Sequence, residues 1–304
     1  MVIDTDTASD DAVALVMALR HPEVSVEAIT VVAGNVGVAQ GTQNALYTAE
    51  LCGSGVPVHQ GCDRPLHIPL EDATNVHGTD GMGDRGLPLS GRVPASTDGV
   101  HALVDAIRAG DDDVTLVTLG PLTNVAAALF ADRDLARRVD RCVMMVGIGD
   151  HQGNVSPVAE YNAWADPHAL DVVLRSGMPL TMVGWDISRH YAVIDAALSA
   201  ELRAIDTPVA RFAMDIQSHV EQFCAEVTHL DGFDLPDPIA MAVALEPAMA
   251  TTKRVHIEAD PREGPTRGMT IVDHLGIGDG EPNVDLVTHV DRAAFVDLLR
   301  RSLS

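Results

Sequence analysis

Four aspartates stand within the first eleven residues: Asp4, Asp6, Asp10 and Asp11. The short apolar run Val2-Ile3 leads into them, and a helical pattern leaves them. Carboxylates this close repel one another strongly unless a positive charge sits between them. The economical expectation is a divalent cation in an oxygen cage at the end of a first strand. Helix capping is the plainer account, since Ser9 or Asp10 suits an N-cap and the helix dipole favours acids there. A cap explains one acid or two and leaves Asp4 and Asp6 over.

A cage needs donors from other segments. Asp237 lies between Pro236 and Pro238, just before an apolar helical stretch, 239–245. An acid before a helix-starting proline is also common without any ligand. Residues 118–124, Thr-Leu-Gly-Pro-Leu-Thr-Asn, follow an apolar run, and their carbonyls suit a hard cation. Histidine and cysteine at zinc spacing are missing, so Ca²⁺ or Mg²⁺ fits better than zinc. A second polar cluster, Asn154, Glu160 and Asn162, offers amides and a carboxylate of the kind that hold the hydroxyls of a sugar.

These groups need a frame. Val2–Asp6, Val24–Val32, Val56–Gln60, Val114–Leu119, Cys142–Val146 and Leu180–Val183 read as strands, with helices at 10–20, 40–52 and 122–131 between them. Continuous apolar runs such as 114–119 are typical of strands buried on both faces. The alternation predicts an α/β fold: a mostly parallel, open, twisted sheet with helices on both faces. Ligands of such sheets bind beyond the carboxyl ends of the strands. Asp6, Asn35, residues 118–124 and 147–154 all fall there. Residues 61–99 are rich in glycine and proline and weakly periodic; their glycines suggest a lid over the site, with His77 making contact when it closes, and an ordinary surface loop is the plainer account. Late strands are expected at 254–258, 269–272 and 285–290, with a last helix at 291–303. No linker divides the chain, so residues 1–304 are expected to form one domain.

Composition narrows the function. Of 304 residues, 46% are hydrophobic but only 3% aromatic, so the core is built from aliphatic side chains. The formal charge of −24 opposes binding to nucleic acid or an anionic membrane. Lys253 is the only lysine, which removes most lysine chemistry. Four scattered cysteines are expected to be reduced thiols. With no signal-like start and no apolar run of roughly 18–20 residues, the expected location is cytoplasmic.

Taken together, Asp4 to Asp6, Asp10-Asp11, residues 31–35, His77-Gly78, Gly120 to Asn124, Gly153-Asn154, Ala159 to Asn162 with Asp166-Pro167, and Asp237-Pro238 resemble the nucleoside hydrolases, the inosine–uridine-preferring group included. The resemblance runs the length of the chain. It implies calcium-dependent hydrolysis of the N-glycosidic bond of a small-molecule ribonucleoside, by a homodimer or homotetramer. Asp6, Asp11, the Thr123 carbonyl and Asp237 would ligate Ca²⁺, with Asp6 also the catalytic base. Asp10, Asn162 and Asp237 would hold the ribose 2′- and 3′-hydroxyls, and Asn154 and Glu160 the 5′-end. Asn35 would orient the sugar or the water, and His77 would face the base. Two positions depart from the family pattern. Thr7-Ala8 replaces a Pro-Gly turn, and Pro236 replaces a histidine that would protonate the leaving base.

Two rival functions compete. Asp4 to Thr7 also fits the D-x-D-x-T signature of haloacid-dehalogenase-type phosphatases, with Asp4 as nucleophile, Mg²⁺ nearby and Lys253 in the later motif. A nucleoside- or ribose-binding protein with little turnover would account for Pro236. Trp164 and Trp185 are expected in the core, with a pocket wall as their other place.

Overall fold

The computed structural model describes residues 1–110, 113–150 and 152–304. Its strands are β1 (Val2–Thr5), β2 (Ala28–Val31), β3 (Val58–Gln60), β4 (Val114–Thr118), β5 (Val139–Met145), β6 (Leu180–Val183), β7 (Val193–Ile194), β8 (Phe233–Asp234), β9 (Ala250–Ala259), β10 (Thr270–Asp273) and β11 (Val284–Val290). Nine of them form one sheet in the order β10-β9-β11-β6-β5-β4-β1-β2-β3, while β7 and β8 pair separately. From β3 across to β11 all neighbours are parallel; β9 runs antiparallel to β11, and β10 antiparallel to β9. The expected α/β architecture is therefore present.

Alternation along the strands explains the two layers of helices. Val2, Leu116, Cys142 and Met144 face one core, shared with the helices Gly99–Ala109, Thr123–Ala131 and Pro167–Leu174. Ile3, Val117, Val143 and Met145 face the other, covered by Ser9–Arg20, Pro236–Leu245 and Arg292–Leu303. Side chains at successive strand positions point to opposite faces, so each apolar run feeds both cores.

The chain runs from β1 outward through β2 and β3, then returns to β4 on the other side of β1. This reversal opens a crevice beyond the carboxyl end of β1. The acidic N-terminal cluster lies at that point.

Strand β9 is longer than expected, Ala250–Ala259 rather than 254–258, because antiparallel pairing with β11 carries exposed polar residues along. Residues 61–99 contain one β-bridge, from Ser96 to His59, and one helical turn, Thr74–His77, before the next helix begins at Gly99. Among the described residues, no helix is long and apolar enough to cross a membrane.

Candidate active site

Asp4 and Asp6 leave β1 in different settings. Asp4 is fully buried and accepts hydrogen bonds from Thr30 Oγ1 on β2 and from Asn124 Nδ2 at 2.8 Å. Asn124 Oδ1 in turn accepts from the Cys62 amide. Asp4 thus ties the ends of β1, β2 and β4 together, and burial pushes its carboxyl up to about 7. It does not border the cavity described below. The phosphatase expectation fails here. A nucleophile needs an open face, and Lys253, exposed on β9, donates its Nζ to the His274 carbonyl at 2.7 Å.

Asp6 is wedged between two glycines. A Cβ on Gly34 would overlap its carboxylate, and one on Gly120 would lie 2.8 Å from Oδ1. The Asn35 amide donates to Oδ2 at 2.6 Å, while Oδ1 is buried without a partner. Beside it, Asp11 accepts from Thr5 Oγ1, from the Ala8 amide at 2.9 Å and from Asn35 Nδ2 at 3.4 Å. Ala8 thus completes its turn without the family's Pro-Gly. Asp10, Asp11 and Asp237 each offer an oxygen, and these three atoms lie within 4.8 Å of one another.

Burial holds the carboxyls of Asp6 and Asp237 well above the ordinary range, and the Asp11 charge adds to it. Asp10 is pushed up to about 8 by burial and then by Asp11. Asp10 Oδ1 is also buried without a partner. Among the described residues no Lys or Arg pairs with this floor; His77 stands beside it, with Nδ1 at 3.7 Å from Asp10 Oδ1 and 2.9 Å from Ser9 Oγ. Burial drops His77 to about 4. Four buried carboxylates, two of them (Asp6 and Asp10) with an unpartnered oxygen, and no cationic side chain paired with them among the described residues match what an oxygen-ligated divalent cation requires.

Above the floor opens a cavity of about 340 Å³. Asp10, Asn35, His77, Asn154, Glu160, Asn162 and Asp237 all border it. Asn162 donates through Nδ2 to the Leu119 and Met145 carbonyls at 2.7 and 3.0 Å, which leaves its buried Oδ1 without a partner. Glu160 accepts from the amides of Gly147, Asn162 and Ala163, so it also caps the Tyr161–Ala165 helix. Burial raises it to about 7. Asn154 is exposed at the rim. His151, in the same segment, lies outside the described residues.

Thr123 is placed differently from the expectation. It begins its helix, its hydroxyl donates to Asp166 Oδ2 at 2.7 Å, and it does not border the cavity. Leu119, at the end of β4, does. The Leu119 carbonyl accepts from Asn162 Nδ2 at 2.7 Å. A sequence signal existed for Leu119, since it is the first residue beyond the strand.

The far wall comes from later in the chain: Trp185, Val220, Phe223, Cys224, Thr228, Asp234 and Pro236. Both tryptophans border the cavity rather than standing only in the core. Arg267 lies 3.8 Å over the Trp164 ring and Arg189 5.1 Å over Trp185.

The family model for inosine-uridine preferring nucleoside hydrolase matches residues 1–297. The chain belongs to this nucleoside hydrolase family. It is 36% identical, over 100% of its length and 97% of the relative, to a pyrimidine-specific ribonucleoside hydrolase, RihA, of Enterobacter sp. (strain 638). A RihA of Shewanella sp. (strain ANA-3) is 35% identical, over 100% of this chain and 96% of the relative. Among solved structures, the plant nucleoside hydrolase PpNRh1 superposes with a TM-score of 0.94 at 30% identity, covering 99% of this chain and 98% of that one. A purine-preferring ribonucleoside hydrolase from Gardnerella vaginalis gives 0.91 at 31%, covering 99% and 97%. This nucleoside hydrolase is thus an N-ribosyl hydrolase, releasing ribose and a free base from ribonucleosides. The expectation of a binding protein without turnover is set aside.

Proposed function

We propose that this nucleoside hydrolase is calcium-dependent, with the ribose seated on the carboxylate floor and the base against the far wall. What carries the reading is the buried, uncompensated group Asp10, Asp11 and Asp237 with the orphaned Asp6 Oδ1 beside it. Asp6, Asp11 and Asp237 would hold the ion, with a main-chain oxygen from the 119–123 segment. Leu119 is better placed for this than Thr123. Bound Ca²⁺ would supply a hard Lewis acid for hydroxyls and water.

The chain's own groups do the rest. Asp6 accepts the proton of the attacking water. Asp10, Asn162 Oδ1 and Asp237 accept from the ribose 2′- and 3′-hydroxyls, and Asn154 and Glu160 hold the 5′-end. Asn35 fixes Asp6 and Asp11 through its amide and side chain, and so orients the water. His77 stands near the base, held by Ser9. As the C1′–N bond breaks, positive charge grows on the sugar, and the surrounding carboxylates stabilise it electrostatically. Hydroxyl contacts of this kind select ribose over 2′-deoxyribose.

We further place the enzyme in the cytoplasm as a homodimer or homotetramer acting on neither nucleic acid nor membrane. Its four thiols are free, and the exposed Ile271 lies on edge strand β10, with the exposed Leu275 and Ile277 just after it. Light scattering in solution reads the oligomer directly. The decisive assay measures reducing sugar released from a panel of purine and pyrimidine ribonucleosides. Activity should vanish with EDTA and return with Ca²⁺. Turnover indifferent to EDTA would remove the metal from the reading.

A further inference from the structure

Pro236 has no hydrogen to donate, so the leaving base must receive its proton from elsewhere. The chain nearby offers His219, His229, Asp231 and Asp234. His219 is 39% exposed and its Nε2 lies 3.5 Å from Asp84. His229 and Asp231 are exposed. None of these three borders the cavity; Asp234 does, at 6% exposure. Two other cavity groups are poorly suited: burial keeps His77 neutral and lifts the Cys224 thiol to about 11. Tyr161 already donates its hydroxyl to the Glu71 carbonyl at 2.9 Å.

The surroundings of Asp234 fit an acid. Ser188 Oγ lies 2.6 Å from Asp234 Oδ2 and 2.8 Å from the Trp185 carbonyl. A serine hydroxyl has one hydrogen. When it donates to the Trp185 carbonyl, the short contact to Asp234 is completed by a carboxyl O–H donating to Ser188 Oγ. When Asp234 is ionised, the same hydroxyl turns to donate to it, and Arg189 Nη1 stands 3.7 Å from Oδ1. The site therefore accommodates both protonation states. Burial raises the Asp234 carboxyl, and its charge reaches Asp10 across the cavity.

Resting on the ribonucleoside reading above, we propose that Asp234 is the catalytic acid that protonates the departing base. As the C1′–N bond breaks, its electron pair passes to the base. The Asp234 carboxyl proton moves to a ring nitrogen or carbonyl oxygen of that base. Water adds to C1′ and gives its proton to Asp6. After release, Asp6 returns a proton to solvent and Asp234 takes one up, so one water is consumed.

The test compares leaving groups. Asp234→Asn is assayed on uridine and inosine and on p-nitrophenyl β-D-ribofuranoside, whose phenolate departs without a proton. A general acid contributes about 10²-fold or more. The variant should lose about that factor in kcat on whichever nucleosides the enzyme turns over, and less than about fivefold on the nitrophenyl riboside. Asp231→Asn, exposed nearby, should alter neither. Equal loss on both substrate types, or no loss on nucleosides, overturns the proposal. Should Asp234→Asn fail to fold, Ser188→Ala must show the same selective loss, about tenfold; a uniform loss or none is equally fatal. A wild-type enzyme that releases no ribose from either substrate type defeats the underlying reading instead.

Discussion

The floor of the cavity is made by the ends of β1 and β2 and by Asp237, locked by backbone amides and two glycines. The far wall is made by side chains from the loops and short helices between residues 185 and 236, including a π-helical turn at Cys224–Thr228. The floor is acidic and buried, with Asp6 just beyond β1, Asp10 and Asp11 in the first turn of the Ser9–Arg20 helix and Asp237 in the first turn of the Pro236–Leu245 helix. The wall is mostly apolar, and its one acid, Asp234, is held by Ser188 and Arg189. In the proposed reading the first region holds the constant part of a nucleoside and the second meets the part that varies. Relatives of the chain include both pyrimidine-specific and purine-preferring ribonucleoside hydrolases.

Substitutions that strike the two regions should separate them. The largest effect is expected at the floor. Asp11→Asn should cost at least about 10³-fold in kcat on every ribonucleoside, together with loss of the thermal stabilisation that added Ca²⁺ gives. Retained activity would show that the floor does not bind the ion. At the wall, Phe223→Ala removes half-buried apolar area. It should change the inosine-to-uridine ratio of kcat/KM by about tenfold and leave calcium binding untouched. A uniform change across bases would merge the two regions into one.

The smallest effect concerns stability. Burial drops His77 to about 4, so the folded chain keeps it neutral while the unfolded chain binds a proton below 6.5. Stability is lost as pH falls from 6.5 towards 4, by up to about 3 kcal/mol from this residue. In chemical denaturation, His77→Gln should lose less stability than the wild type over that window. Parallel losses would show that His77 takes up its proton while folded.

This contrast also explains what could be read from the chain. That Asp6 and Asn35 stand just beyond β1 and β2 is legible in the sequence because apolar runs mark the strand ends. The parallel sheet followed from the same runs. Thr123 starts its helix behind the cavity lining, where Leu119 stands instead, because Gly-Pro after β4 hides in the sequence where the strand stops. Asp166 looked like part of a binding motif, yet it caps the Pro167–Leu174 helix and anchors Thr123 and the Leu66 amide. Asp234 stood out no more than its neighbours. Strand β8 is two residues long, and no periodicity announces which of several acids a short hairpin turns inward.

The wedge of Asp6 between Gly34 and Gly120 has a consequence for how the protein is made. The carboxylate fits only when β1, β2 and β4 have all closed in the observed register. A slip of one residue in β1 would swing the acids to the opposite face, and the oxygen cage would not form. An ion that binds only the completed cage favours correctly paired molecules by mass action. Calcium would then serve as proofreader of the central strands before it serves any substrate.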